Sequence, residues 1–432
     1  MKKLNTLLSI LMVSSLLLTS CNKGFSSLEP ESQTKAFGVE FPDRTPSDQL
    51  LLKLNNAIDS STKTKTTPNN KNLKLYIDGP EAYPALEEMI LSAKKSVYVE
   101  VFEFHNDPTG QKIADAMVKK AKEGLDVKFI YDFIGNTNIK LMTYMAKNGV
   151  DVKTYGKQNF SLNATVTHRK IYIVDGIRAM TGGMNIDKNF ASSGLFHDIL
   201  MSYEGDTVKQ TMDEFFIDWE MAGGKITAGM ESIYEEPVPV NDGEKVYNVR
   251  LAVTNPLKTK KFQKREDLYG MLLAVLDNAK YSINIAMPYF TEDNFVEHII
   301  KAKNRGVKVK ILIPYKTNIA IVTMANKMTI NQLTKAGVEV YTGGKKDNSF
   351  NHSKVITVDD VWTTIGSCNA DSRSFHNNQE LNLAISDVDF TKEVNTRFFD
   401  RFIGEASKAE YENIPWYKKP VYNLVERFDS LL

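Results

Sequence analysis

Thr167-His168-Arg169-Lys170-Ile171-Tyr172-Ile173-Val174-Asp175-Gly176, followed by Thr181-Gly182-Gly183-Met184-Asn185, returns later in the chain. The second copy reads Asn351-His352-Ser353-Lys354-Val355-Ile356-Thr357-Val358-Asp359-Asp360, then Ile365-Gly366-Ser367-Cys368-Asn369. His, Lys, Asp, Gly and Asn recur at one offset of 184 residues, which Asp187 and Asp371 also keep. One such motif is a weak signal. Two in register are a strong one.

The repeat extends outward. Ala93-Lys94-Lys95-Ser96-Val97-Tyr98-Val99 matches Ala279-Lys280-Tyr281-Ser282-Ile283-Asn284-Ile285. Gly124–Ile130 matches Gly306–Leu312, and Asn148–Val152 matches Ala336–Val340, at offsets of 186, 182 and 188 residues. Each block is a helix end, a terminating glycine in two of the three, and a strand of β-branched residues. Two copies of one α/β unit follow, each a sheet covered by helices on both faces, packed about a pseudo-twofold axis.

Val, Ile and Tyr after each His favour a strand, on which residues two apart share a face. His168 therefore points with Lys170, and His352 with Lys354. Gly182 and Gly366 are placed to let backbone approach a ligand, and Asn185 and Asn369 to add neutral donors. Two imidazoles, two ammonium groups and two amides suit a phosphodiester. Lysines and asparagines stabilise the charge that grows on the non-bridging oxygens. One imidazole attacks phosphorus; the other protonates the leaving alcohol and then activates the acceptor. Lysines supply the positive charge, so neither a metal nor a cofactor is expected. Asp198 and Glu380 are the candidates to orient the imidazoles through their second nitrogens. Asp175 and Asp359 lie seven residues past each His, about 23 Å along an extended strand, and read as fold-stabilising. His105, His197, His298 and His376 read as structural, and Cys368 as a small buried thiol.

The paired motifs resemble the phospholipase D superfamily. Longer stretches are similar to bacterial cardiolipin synthases: Tyr131-Asp132-Phe133-Ile134-Gly135-Asn136, Met287-Pro288-Tyr289-Phe290-Thr291-Glu292-Asp293, Gly366–Phe375 with Asn378 and Glu380, and Trp416-Tyr417-Lys418-Lys419-Pro420 before a final helix. The resemblance spans roughly residues 73–432. It implies two phospholipase D-like α/β/α sandwich domains, over 73–240 and 241–432. It also implies His168 as nucleophile, His352 as acid and base, Ser367 in a supporting place, and cardiolipin made from two phosphatidylglycerols. A phospholipase D releasing phosphatidic acid, a nuclease, and a non-catalytic lipid-binding lipoprotein stay open as alternatives. The chain departs from the pattern in having no paired N-terminal transmembrane helices, and in carrying Phe196-His197 where a tryptophan precedes Asp198.

The N-terminus reads as an export signal over residues 1–20, with Lys2 and Lys3 before an apolar run from Leu7 to Leu18. Leu18-Thr19-Ser20-Cys21 resembles a bacterial lipobox, which implies lipidation of Cys21 and a membrane anchor. Residues 21–72 then form a tether, with a short helix over Leu50–Ile58 and a polar loop over Ser60–Asn72. The protein is expected on the exported side of the cytoplasmic membrane or on the outer membrane. The net charge of +1, or −1 without Lys2 and Lys3, offers no global field for nucleic acid, so none is expected as a partner. Two cysteines give no disulfide framework. Both half-sites lie in one chain, so a monomer is expected.

Overall fold

A strand buried on both faces is rich in apolar residues, and Ser96–Val101 (β2) is buried at every position, its one charged residue, Glu100, accepting from the Thr167 hydroxyl. It lies parallel to Asp126–Asp132 (β3), which lies parallel to Asp151–Tyr155 (β4). Helices Asp78–Ser92, Pro108–Lys122 and Lys140–Lys147 alternate with these strands. The hairpin Lys170–Val174 (β5) and Arg178–Gly182 (β6) returns antiparallel to β2 and leads to Ile199–Gly205 (β8). The two-residue strand Phe196–His197 (β7) lies between β6 and β8 in sequence. The second half repeats this plan. Its parallel strands are Ser282–Ala286 (β11), Lys308–Pro314 (β12) and Glu339–Gly343 (β13). Phe350–Asn351 (β14), the hairpin Val355–Val358 (β15) and Trp362–Gly366 (β16), and Glu380–Ser386 (β17) follow. Gly124 and Gly306 end matched helices with φ of 91° and 93°, a conformation that L residues with a Cβ rarely adopt.

The structure is a computed structural model that describes residues 45–156, 165–191, 195–226, 230, 233, 243–258, 263–344 and 349–412. The signal, Cys21, the tether up to residue 44, and Trp416–Pro420 with the final helix lie outside the described residues.

The two halves join edge to edge. Thr66–Ile77 (β1) pairs with β8 on one side and with Tyr247–Asn255 (β9) on the other, and β9 pairs with β17. One hydrogen-bonded sheet of sixteen strands therefore runs through both halves. It doubles back, so that β16 packs against β6 and β8. The inner faces enclose a shared core, into which Asp206–Met221 sends Met212, Phe215 and Trp219 and the later helices send Phe390, Phe398 and Phe402. The outer helices cover separate cores in each half. The layers thus alternate helix, sheet, helix, sheet, helix.

Two expectations need correcting. Ser60–Asn72 is not a loop: β1 begins at Thr66. Its alternation is broken by register shifts at Thr67/Asn70 and Lys71/Lys74, and by Asn69 and Asn72 at φ of 60° and 54°, so the strand hides in a polar sequence. The helix Ser47–Ser61 is not part of a tether. It buries Leu50, Leu54 and Ile58 against the second half's outer core, beside Leu268 and Met271.

Candidate active site

Each parallel strand β2 and β11 ends where its antiparallel neighbour begins: Val101 opposite Lys170, and Ala286 opposite Val355. His168 and His352 sit just before those neighbours rather than on them. The chain there leaves its own sheet and binds the other half. His168 N donates to Gln379 O at 2.9 Å, and His352 N donates to His197 O at 2.8 Å. The short strands β7 and β14 pair in parallel beside the second of these contacts.

The carboxylates are exchanged. His168 Nδ1 lies 3.1 Å from Glu380 Oε2, and His352 Nδ1 lies 2.8 Å from Asp198 Oδ2. Each half orients the imidazole of the other. A carboxylate accepts, so Nδ1 carries the proton and Nε2 is left with its lone pair. Lys354 Nζ lies 2.9 Å from His352 Nε2, and Lys170 Nζ donates to His168 O at 2.6 Å. All four residues are at most 8 % exposed.

Electrostatics follow from that crowding. Burial lowers both imidazoles, and the neighbouring lysines push the same way; His352 falls well below its ordinary value. Burial brings Lys354 down to about 7 and Lys170 down to about 8. Asp198 is pushed up to about 6 by burial. Burial also raises Glu380, but His168 and Ser367 bring it below the ordinary carboxylate range. An arriving phosphodiester anion would restore the charge on both lysines.

The asparagines differ between copies. Asn185 Nδ2 donates to Glu103 Oε2 at 3.1 Å. Asn369 Oδ1 is buried without a partner. Glu103 went unnoticed in the sequence, although Tyr289 takes its place in the second copy at the 186-residue offset already visible. Burial raises the Glu103 carboxyl, and both active-site lysines pull it back. The aromatic ring of Phe102 stands against His168, and that of Phe190 against His352, with centroids at 5.0 and 5.5 Å.

The glycines are required by the packing of the protein itself. A Cβ on Gly182 would meet Ile199 O of the neighbouring strand at 2.1 Å, and one on Gly183 would meet Asp198 Oδ1 at 2.5 Å. Where Gly183 accommodates Asp198, Ser367 instead donates its hydroxyl to Glu380.

Asp175 and Asp359 stay out of the site. Each sits in the hairpin turn at φ of 56° and 54°. Asp175 accepts from the backbone N–H groups of Lys94, Lys95 and Ser96, and Asp359 from those of Lys280, Tyr281 and Ser282. Charge-assisted bonds of this kind contribute about 1.5–3 kcal/mol each, so both aspartates lock the hairpin onto the neighbouring strand.

His105, His197, His298 and His376 each face a carboxylate: Asp187, Asp78, Asp277 and Glu266. Among the described residues, His105, Asp107 and Asp187 bring possible metal ligands within 4.8 Å of one another. Asp107 is already engaged by Thr109 N, Gly110 N and Lys188 N, and Asp187 by His105. Cys368 is buried, and burial pushes its thiol up.

A family model described as cardiolipin synthase, PLD-like domain, matches residues 86–219 and 272–402. A probable cardiolipin synthase, YwiE, of Bacillus subtilis is 29% identical over 76% of this chain and 65% of its own length. A cardiolipin synthase of Geobacillus sp. is 30% identical over 88% of this chain and 75% of its own. The chain thus spans about two thirds to three quarters of these relatives. Among solved structures, a phosphatidylserine synthase of Haemophilus influenzae superposes with a TM-score of 0.63 at 15% identity, over 88% of this chain and all of that one. That likeness is one of fold.

Proposed function

The chain belongs to the cardiolipin synthase, PLD-like domain family, and we propose that it is a phosphatidyltransferase working through a phosphohistidine. The exchanged pairs His168–Glu380 and His352–Asp198 carry this reading. They put two oriented imidazoles and two lysines in a single buried site.

His168 Nε2 attacks phosphorus, and the bond to the leaving alcohol breaks as that oxygen takes a proton from Nε2 of His352, which acts in its imidazolium form once the bound anion has favoured a further proton in the site beside Lys354. The lowered Glu380 carboxyl at Nδ1 offsets the charge that forms when Nε2 bonds phosphorus. Lys170, Lys354, Asn185 and Asn369 are the groups to hold the non-bridging oxygens. In the second step His352 takes the proton of an incoming alcohol, whose oxygen displaces His168. Two displacements retain configuration at phosphorus. With phosphatidylglycerol as both donor and acceptor, the products are cardiolipin and glycerol.

Lipidation of Cys21 fits a substrate held in a membrane, and one chain supplies both half-sites, so a monomer suffices. Among the described residues no helix is long and apolar enough to cross a membrane. Incubating the purified protein with phosphatidylglycerol tests the proposal. Cardiolipin with glycerol is the expected result. Phosphatidic acid instead would make it a hydrolase, and turnover of DNA alone would make it a nuclease. No product from either would leave a lipid-binding lipoprotein. Cys21→Ser is expected to lose incorporated acyl chains, read as the drop in intact mass.

A further inference from the structure

Seven large apolar side chains are exposed among the described residues, and five of them lie on segments tied to the strands that carry the site: Phe133, Ile134, Ile139, Leu195 and Ile319. We propose that these residues form a rim that seats the cleft on an anionic phospholipid bilayer.

Each half has a matched support, an asparagine that in the first half lies within the loop and in the second lies in the helix that follows it. Residues 133–139 follow β3, and residues 315–319 follow β12, at the strand ends where the site lies. Asn136 Oδ1 accepts from Phe104 N at 2.8 Å, and its Nδ2 donates to Phe102 O at 2.7 Å. Asn326 Oδ1 accepts from Phe290 N at 2.9 Å, and its Nδ2 donates to Pro288 O at 2.7 Å. Ile139 and Ile319 hold the same place, just before the helices Lys140–Lys147 and Ala320–Lys335, and are 51 % and 43 % exposed. Asp132 ties the first loop to the site: it accepts from Ile134 N and Gly135 N, and from Thr167 N beside His168. On the other side Tyr289 donates its hydroxyl to Asn318. Leu195 O accepts from Phe350 N, two residues before His352.

Held by these bonds, the loops keep their apolar tips outward at the end of the sheet where the site lies, and apolar side chains grouped in this way mark an interaction surface. Neither 133–140 nor 315–320 contains an acid, while Lys140, Lys188 and Lys316 are exposed nearby. Apolar tips with interleaved lysines match the boundary between acyl chains and anionic headgroups. A protein seated on both loops would cover the cleft. A bilayer would instead feed it.

The test uses the full chain with Cys21→Ser, so that no acyl anchor contributes, and vesicles of phosphatidylglycerol or of phosphatidylcholine. Co-sedimentation with phosphatidylglycerol vesicles is expected, with weaker capture by phosphatidylcholine. Ile139→Ser with Ile319→Ser is expected to weaken capture roughly tenfold or more, with melting temperature unchanged. Leu52→Ser, on the helix against the second half's outer core, is expected to leave capture as it was. Capture of the double variant equal to that of the parent, or an equal loss in Leu52→Ser, would overturn the proposal, as would no capture of the parent. The measurement reads binding, so it stands apart from the turnover assigned above. Should the protein turn over lipid, activity on monomeric short-chain phosphatidylglycerol is expected to survive the double substitution.

Discussion

Arg169 and Ser353 hold the same place in the two motifs, yet the layers beneath them are built differently. Arg169 is fully buried in an ionic cluster with Glu214 and Asp218 at 2.9 Å each, beside a Glu100 whose carboxyl burial holds well above its ordinary range. Ser353 is fully buried as well, but its hydroxyl has no partner. Above those layers the halves agree closely: Asp175 with Asp359, Asn136 with Asn326, His168 with His352. The histidines and the hairpin-locking aspartates are thus kept in both copies, while the residue between each His and Lys meets different surroundings, Arg169 reaching Glu380 O of the other half at 3.3 Å. The crossing of the carboxylates ties the two histidines together. A change in one half's Asp198 or Glu380 disables the other half's histidine.

Removing an imidazole breaks the symmetry most severely. His168→Ala and His352→Ala are each expected to lower kcat by about 10⁵-fold or more, measured as product formed from the phosphodiester substrate. The exchange of carboxylates predicts the next effect. Asp198→Asn and Glu380→Gln are expected to cost about 10³–10⁴-fold. Adding Asp198→Asn to His352→Ala should cost nothing more, whereas adding it to His168→Ala should lower the residual rate further. Equal additivity on both backgrounds would break the crossed assignment.

The two scaffolds separate in stability. Arg169→Met leaves Asp218 without its ion pair and Glu214 with Arg265 alone, and is expected to cost about 3–5 kcal/mol in denaturant unfolding. Ser353→Ala removes an unpaired hydroxyl and is expected to stay within about 1 kcal/mol. A further effect is one of pH. Lys354 at about 7 and Lys170 at about 8 are both charged below pH 6.5 and both neutral well above pH 8. Affinity for a phosphodiester analogue should therefore fall by up to about tenfold per pH unit above each of these values. Calorimetry from pH 6 to 9 would show the fall, and proton uptake on binding. A flat profile to pH 9 would mean that the lysines keep ordinary values.

Much of this was legible in the chain. The constant offset of His, Lys and Asn marked the site, because residues that meet across a pseudo-twofold axis keep their spacing. Periodicity and glycine ends marked the parallel strands. Periodicity failed at β1, whose bulges break the alternation that a strand shows. It also failed at Ser47–Ser61, since an amphipathic helix does not reveal which half it will cover. Asp198 and Glu380 were found, but not their exchange: a linear sequence orders residues along one chain and says nothing of which copy each side chain will reach. Glu103 was missed because its counterpart is Tyr289, and a repeat search weighs identities.

The central claim is a covalent bond between phosphorus and one imidazole in a site shared by both halves. Rapid acid-free quenching of the enzyme with phosphatidylglycerol labelled in its phosphate, followed by peptide mass spectrometry, tests it most directly. The account predicts a phosphatidyl group on His168, formed and consumed at the rate of turnover, and absent from His168→Ala. Product formed with no labelled histidine, or with inversion at phosphorus, would contradict it.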